Sequence, residues 1–183
     1  MNAQSASASS FRIRPLESRD DEQMFHIARA RLKENGLDVP GSVYFDDVLR
    51  HLSQYYNGGE RGASHARRAY FVAVEHNDDN RVLAGAGFAE YGNGETSDTA
   101  ELQKLYAREA SQGRGISYAL IDAVERAAAA DGYTRLYLET EHRLTAALHI
   151  YEKLGFTRLD RPPVKAQHSA MDRFYIESLL PEE

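Results

Sequence analysis

A glycine-rich turn is the stretch of this sequence whose residue types most clearly suggest chemistry. Residues 112–117 read Gln-Gly-Arg-Gly-Ile-Ser and lie between a predicted strand, Glu101 to Ala107, and a predicted helix, Gly115 to Ala130. In such a turn the unpaired backbone N–H groups point outward at the positive end of the helix dipole, where an anion can bind. We therefore predict a phosphate-bearing ligand. The alternative is a tight strand-to-helix turn with no ligand.

Several other kinds of site are disfavoured by the sequence. No Lys-Ser or Lys-Thr follows Gly115, so the turn is not a P-loop for nucleotide and magnesium. The absence of Cys excludes a cysteine acyl-enzyme and a thiolate zinc site. His142, His149 and His168 can titrate near neutral pH. None has convincing metal-ligand spacing, so we expect no metal, while His168 is a candidate to border an acceptor pocket.

A second motif follows at residues 147–156, which read Ala-Leu-His-Ile-Tyr-Glu-Lys-Leu-Gly-Phe. In order and spacing, this run and the turn resemble the two signatures of the GCN5-related N-acetyltransferases (GNAT). The match in the first signature is Gln112, Gly115 and, departing from the family pattern, Ser117 in place of a final Gly or Ala. Because Ser117 is also small, we expect ligand binding to survive this departure.

The resemblance implies acetyl-coenzyme A as co-substrate, with direct acetyl transfer to an amine in a ternary complex. It also implies two sets of cofactor contacts. The pyrophosphate would be held by main-chain N–H groups of Gln112, Gly113, Arg114, Gly115, Ile116 and Ser117. The pantetheine arm and thioester oxygen would meet the backbone of Leu105, Tyr106 and Ala107. The side chains of Arg108 and Arg114 either add positive charge near the phosphates or are simply solvated.

Two side chains are candidates for the catalytic proton transfers. An amine with a pKa near that of lysine must lose a proton before it attacks a thioester, and the departing thiolate must gain one. Tyr151 matches the proton-donating tyrosine of the family, although its apolar helix face would also suit a core tyrosine. Glu101 matches a position where many relatives carry a basic carboxylate, although a surface glutamate is the alternative. Leu144 replaces an asparagine that is common in the family.

Two functional classes follow from the resemblance. The first is an acetyl-coenzyme A-dependent N-acetyltransferase, with a small-molecule amine or amino acid favoured over a protein as acceptor; oxygen acceptors stay open. The second is a non-catalytic acyl-coenzyme A sensor or interaction module. Because both Tyr151 and Glu101 are present, we favour the enzyme.

The remaining elements must position this site. Hydrophobic periodicity and turn residues predict an α/β fold with a mixed sheet of six to seven strands, which includes a parallel pair, and helices on both faces. The resemblance to the GNAT family implies that the sheet is mostly antiparallel and that the parallel pair is central and splayed. The predicted strands are 11–16, 69–75, 82–91, 101–107, 135–140, a short one starting near 155, and 173–180. The predicted helices are 20–35, 43–56, 115–130 and one through 144–154. A polar hairpin turn is predicted at 76–80.

Length and composition place the chain among ordinary globular proteins. With 183 residues, 42% of them hydrophobic, it suits one domain, and we predict a disordered tail at 1–10 followed by a single N-acetyltransferase domain at 11–183. A net charge of −6 argues against nucleic acid or an anionic membrane as partner. No apolar run approaches the roughly 20 residues needed to cross a bilayer. The default location is cytoplasmic, and a homodimer is left open.

Overall fold

The structure is a computed structural model, which describes residues 10–57, 67–92, 98–164 and 168–180. The predicted N-terminal tail therefore lies outside the described residues, apart from Ser10, as does most of the loop predicted after residue 57. Seven strands and four α-helices are described: β1 (Phe11–Pro15), α1 (Asp21–Glu34), α2 (Leu52–Asn57), β2 (Ala69–Glu75), β3 (Asp78–Glu90), β4 (Thr99–Ala107), α3 (Ile116–Ala130), β5 (Arg135–Thr140), α4 (Thr145–Leu154), β6 (Thr157–Leu159) and β7 (Arg173–Ser178).

The strands form one sheet in the order β1-β2-β3-β4-β5-β7-β6. Only β4 and β5 are parallel, and the other neighbours are antiparallel. A parallel pair needs a crossover, which α3 supplies. The predicted mixed sheet with a central parallel pair is confirmed.

Helices cover both faces of the sheet. Successive side chains of a strand point to opposite faces, so apolar residues on both faces need a helix to pack against. Along β2, Ala73 packs into the core beneath α3. Its neighbours Val72 and Val74 pack on the opposite face with residues of α1 and α2. On the α3 side the buried residues include Leu120 and Val124, with Tyr151 of α4 in the same core. The two apolar layers together fix the position of β4, which runs through the middle of the sheet.

The continuous helix predicted over 43–56 is wrong. The structure has two short 3-10 turns, Val43–Phe45 and Asp47–Arg50, before α2 begins. Asp46 between the turns is extended, with ψ of 122°. Its carboxylate pairs with Lys104 and His168. The helix is interrupted because these tertiary contacts outweigh the local helical pattern.

The hairpin between β2 and β3 is tighter than predicted, since β3 already starts at Asp78. The two glycines within β3 have a packing reason. A Cβ on Gly85 or Gly87 would lie 2.5 Å from the ring of Tyr70. These glycines therefore make room for a buried tyrosine that takes part in the site described below.

Among the described residues, no helix is both long enough and apolar enough to cross a membrane.

Candidate active site

The site is organised by a β-bulge in β4. Tyr106 pairs with Gly85 and Gln103 with Gly87, so the two residues between them, Lys104 and Leu105, oppose a single residue of β3. Lys104 has a φ of +54°, a left-handed conformation that costs a side-chain-bearing residue about 1–2 kcal/mol. The Tyr70 hydroxyl donates to the Lys104 carbonyl at 2.8 Å. This bond holds the bulge and turns the strand end away from its neighbour.

On the other side, β4 separates from β5 shortly after the two strands start. Their pairing ends at Glu101 and Tyr137, although β4 continues to Ala107 and β5 to Thr140. Two connected spaces open at this point. We call them the turn cleft, which lies next to the glycine-rich turn, and the acidic cavity, which is lined by Asp46, Glu101 and Glu139. Both are lined by Leu32, Leu105, Tyr106, Leu144 and Ala147, so they meet at the bulge.

The turn cleft has a volume of about 580 Å³ and brings together nearly all the predicted cofactor residues. Those that line it are Leu105, Tyr106, Ala107, Gln112, Gly113, Gly115, Ile116 and Ser117. The opposite wall includes Arg31 of α1, Asn35 at the C-terminal cap of that helix, and the start of α4. Sequence reasoning missed Arg31 and Asn35, because nothing in a regular amphipathic helix indicates which polar positions face a cleft.

The glycine turn has the geometry of an anion cradle. Gly113 and Gly115 both have a φ of +74°, and a Cβ on either would meet nothing within 4 Å. Gly115 is the N-cap of α3, so the first N–H groups of a 15-residue helix are oriented toward this end. Open space beside these two glycines is what a diphosphate would need to approach the backbone closely. The residues present therefore fit a phosphate-bearing cofactor.

The two arginines considered as phosphate ligands are held elsewhere. The Arg114 guanidinium pairs with Glu75 at 2.8 Å and also donates to Ser10. Arg108 donates from Nε to the Val82 carbonyl at 2.6 Å. Arg114 is thus placed to act in the turn through its backbone, while its side chain fastens the turn to the edge of the sheet.

The acidic cavity, of about 820 Å³, contains both predicted catalytic residues. Glu101 is only 7% exposed, and burial raises the pKa of its carboxyl group. The Gln103 side chain donates to Glu101 Oε2 at 2.7 Å and accepts from the Tyr56 hydroxyl at 2.9 Å. This chain fixes the direction of the Gln103 amide and hence the position of the Glu101 carboxylate.

The position of Tyr151 is compatible with both interpretations considered from sequence, the core tyrosine and the proton donor. Its ring packs against Phe156 and Tyr175, with centroids 5.8 and 6.1 Å away, and it is 6% exposed. It also lines the acidic cavity, and its hydroxyl has no hydrogen-bond partner among the described residues. Burial raises the pKa of this phenol, so the hydroxyl keeps its proton at neutral pH. A protonated hydroxyl at a cavity wall is free to donate.

Glu139, which sequence reasoning missed, is a second carboxylate of this cavity. It lies two residues beyond Tyr137 on β5, and the Tyr137 hydroxyl donates to its Oε1 at 3.1 Å. Burial, reinforced by the charge of Glu101, raises the pKa of Glu139 to about 7. The position of Glu139 near the end of the short strand β5 was the signal that could have identified it. The sequence did not reveal that β4 separates from β5 before this residue.

His168 lines the acidic cavity and lies in a cluster with Asp46 and Lys104. Lys104 Nζ and His168 Nε2 both lie 3.1 Å from Asp46 Oδ2. These contacts hold the pKa of Asp46 below its usual range despite burial. His142 lies elsewhere, beside Glu141 and Asp172, at 2.9 and 2.7 Å. Because Arg143 also pairs with Glu141, at 2.8 Å, this cluster is explained by ion pairs.

Comparisons with known proteins agree with this geometry. The family model described as the acetyltransferase (GNAT) family matches residues 22–156. The Escherichia coli (strain K12) protein YjgM, described as an uncharacterised N-acetyltransferase, is 34% identical over 149 residues, covering 81% of this chain and 83% of YjgM.

Solved structures share the fold. A GNAT acetyltransferase from Staphylococcus aureus Mu50 aligns with a TM-score of 0.73 at 16% identity, over 93% of this chain and 99% of that one. The structure of yncA from Salmonella typhimurium with its cofactor acetyl-CoA aligns with a TM-score of 0.71 at 19% identity, over 94% and 96% of the two chains.

Proposed function

The chain belongs to the acetyltransferase (GNAT) family, and from this premise we propose that it transfers an acetyl group from acetyl-coenzyme A to the nitrogen of a small amine or amino acid. The observation that carries the proposal is the meeting of two spaces at the bulge of β4. One is a cleft with an anion cradle, and the other is a cavity with a buried carboxylate and a free tyrosine hydroxyl. A donor and an acceptor can thus reach each other without a covalent enzyme intermediate.

The cofactor contacts follow the elements that line the turn cleft. Backbone N–H groups of residues 112–117, at the start of α3, hold the diphosphate. Leu105, Tyr106 and Ala107, whose strand edge no longer pairs with β5, offer backbone groups to the pantetheine arm. Acetyl-coenzyme A supplies the acetyl group as a thioester. The solved yncA structure, which contains acetyl-CoA, supports this assignment by analogy of fold.

Two residues carry the proposed chemistry, and neither role requires a metal. Glu101 contacts the amine and favours its deprotonated form, since a buried carboxylate with a raised pKa is a better base than a solvated one. Tyr151 donates its hydroxyl proton to the departing thiolate, because its hydroxyl is protonated at neutral pH, lines the acidic cavity and has no other hydrogen-bond partner among the described residues. The amine nitrogen is acylated directly, so no cysteine or serine is needed.

The acceptor is proposed to be a small molecule because of the size of the acidic cavity. Its volume of about 820 Å³ lies within the range of about 300–1,000 Å³ that is usual for small-molecule sites. We also propose that residues 11–183 form a single catalytic domain, since one continuous sheet runs from β1 to β7. Its proposed location is the cytoplasm.

The decisive experiment follows thiol release from acetyl-coenzyme A in the presence of an amine panel. Because the chain contains no Cys, a thiol reagent reports only free coenzyme A. We expect acceptor-dependent release, with the acetylated amine identified by mass spectrometry. Binding of coenzyme A without acceptor-dependent release would instead support a non-catalytic acyl-coenzyme A sensor.

A further inference from the structure

Two carboxylates on neighbouring strands line the acidic cavity where β4 and β5 separate. Glu101 pairs with Tyr137 across the two strands, and Glu139 follows Tyr137 by two residues. Since side chains alternate along a strand, Tyr137 and Glu139 point to the same face of the sheet, as does the paired Glu101. Glu101 and Glu139 therefore approach one volume from its two sides, and both line that cavity.

Glu101 and Glu139 each accept one hydrogen bond from a described side chain, which is fewer than a carboxylate can accept. Glu101 accepts one bond at Oε2 from Gln103. Glu139 accepts one at Oε1 from the Tyr137 hydroxyl, and its Oε2 is buried without a partner in the described structure. Two nearby carboxylates cannot both be ionised without cost unless a cation or a shared proton joins them. A cation from the substrate would relieve this repulsion.

The basic side chains of the cavity wall already have a partner. Among the described residues that line the cavity, Lys104 and His168 are the basic ones, and both bind Asp46. A substrate carboxylate would thus meet Glu101 and Glu139 with no uncommitted cation from these residues. Much of the remaining wall is apolar or aromatic, formed by Val43, Phe45, Val48, Tyr55 and Tyr106. This wall suits an alkyl or arylalkyl body.

We propose that Glu139 and Glu101 together bind the ammonium group of a primary amine that has no carboxylate beside it, and that this pair, not Glu101 alone, takes the first proton. The inference rests on the proposed function and extends it to a substrate class and a second catalytic residue. The pKa of Glu139, raised to about 7 by burial and by Glu101, suits a base at neutral pH.

The bound ammonium gives one proton to the carboxylate pair and becomes a neutral amine. Its nitrogen forms the amide bond with the acetyl carbon while the carbon–sulfur bond breaks. Tyr151 gives its proton to the sulfur and is reprotonated by the second proton lost from the nitrogen. The carboxylate pair then releases its proton to solvent, so one proton leaves per turnover.

The test compares two acceptors that differ by one carboxylate, 2-phenylethylamine and phenylalanine, in the full chain. We expect kcat/KM to be at least about tenfold higher for the amine. Glu139→Gln and Glu101→Gln should each lower it by about 10²-fold, the lower end for loss of a general base. In the double variant kcat/KM should be only slightly lower than in the less active single variant, since the two carboxylates act as a unit. Glu22→Gln, an exposed charge change on α1, is the matched control and should leave the rate intact.

Two further measurements distinguish a role of Glu139 in amine binding and proton transfer from a purely structural role. Calorimetry without acetyl-coenzyme A should show that 2-phenylethylamine binds at least about tenfold more weakly to Glu139→Gln, while coenzyme A affinity stays at the wild-type value. The titratable groups that act on Glu139 are Glu101, Tyr137 and His168. In wild type kcat/KM should fall on the acid side as the pair becomes protonated. In Glu139→Gln this limb should move to lower pH. The group with a pKa raised to about 7 is then absent, and the remaining base, Glu101, lies near Lys104 and His168, which lower its pKa against the effect of burial.

Other results would overturn the inference. These are near wild-type kcat/KM in Glu139→Gln, an unshifted acid limb, or phenylalanine used as well as 2-phenylethylamine. A wild-type chain that binds coenzyme A yet acetylates neither compound also overturns it. A wild-type chain that fails to bind coenzyme A would instead overturn the proposed function itself.

Discussion

Glu101 lies opposite Tyr137 in the last paired position of β4 and β5. Beyond this pair, β4 pairs as a strand with β3 and β5 with β7, and no strand pairing joins β4 to β5 among the described residues, so the two strands each have an edge facing the gap. Free strand edges provide backbone donors and acceptors that an extended ligand can use. One pairing position therefore marks both the end of the parallel ladder and the start of the proposed acetyl-transfer site.

Gly115→Glu should abolish most coenzyme A binding. The new side chain would place bulk and negative charge at the start of α3, where a diphosphate must approach. We expect affinity to fall more than about tenfold, or about 1.4 kcal/mol, by calorimetry. Stability should fall by about 1–2 kcal/mol, because Gly115 has a φ of +74°.

Gly132→Glu is the matched control for this substitution. Gly132 also has a positive φ, +89°, but lies after the other end of α3. It should lose comparable stability and keep coenzyme A affinity. Equal affinities in the two variants would remove the phosphate role of the turn.

The frame of the site could be predicted from sequence because its signals are local. Glycines fix the turn, and apolar periodicity fixes α3 and the strands around it. The direction of the Arg114 side chain could not be predicted, because its partner Glu75 lies on a strand that is distant in sequence. The interruption at Asp46 was missed for the same reason, since its partners Lys104 and His168 come from far along the chain. Long-range pairing, rather than local propensity, decided each of these outcomes.

Asp20→Ala should destabilise the protein by about 3 kcal/mol, toward the low end for breaking a buried ion pair. The Asp20 side chain is 1% exposed and binds Arg14 at 2.7 Å, while Arg14 is 11% exposed. The loss is moderated because Arg14 keeps Asp79 as a second partner, at 2.9 Å. Urea denaturation measures the change.

The matched control is Asp122→Ala, which removes an ion pair with Arg126 whose side chains are 56% and 74% exposed. Exposed pairs contribute about 0–1 kcal/mol. Similar small losses in the two variants would contradict the structural role assigned to the Asp20–Arg14 contact.

Glu177→Gln should remove a pH dependence of stability. Burial, together with the charge of the nearby Glu125, raises the pKa of Glu177 from 4.5 to about 7. The folded state therefore holds a proton that the unfolded state releases between these values. The free energy of unfolding of the wild type should therefore fall as pH rises from 4.5 to about 7, and that of Glu177→Gln should fall less over the same range. Chemical denaturation at pH 4.5 and pH 7.5 compares them.

Glu75→Gln provides a control of opposite sign. Its hydrogen bond from Arg114 lowers the pKa of Glu75, so this group stabilises above its unfolded pKa and loses the effect as pH falls. If Glu177→Gln kept the full wild-type slope between pH 4.5 and 7.5, the proton would reside on another group.

Tyr151→Phe should lower turnover by about 10²–10⁴-fold, the usual contribution of a positioned general acid. The change keeps the ring that packs on Phe156 and Tyr175 and removes only the hydroxyl. That hydroxyl has no hydrogen-bond partner among the described residues, so the free energy of unfolding should stay near the wild-type value. Coenzyme A affinity should also hold, and kcat alone should fall.

Tyr133→Phe reverses the expectations for stability and for turnover and so isolates the role of Tyr151. The Tyr133 hydroxyl donates to the Arg67 carbonyl at 3.0 Å, and Tyr133 lines neither the turn cleft nor the acidic cavity. Its loss should cost about 1 kcal/mol of stability, the usual value of one hydrogen bond, without slowing turnover. Steady-state rates and denaturation curves of both variants separate the two effects. A Tyr151→Phe protein with wild-type kcat would make Tyr151 a packing residue only, and the thiolate would then receive its proton from water or another side chain.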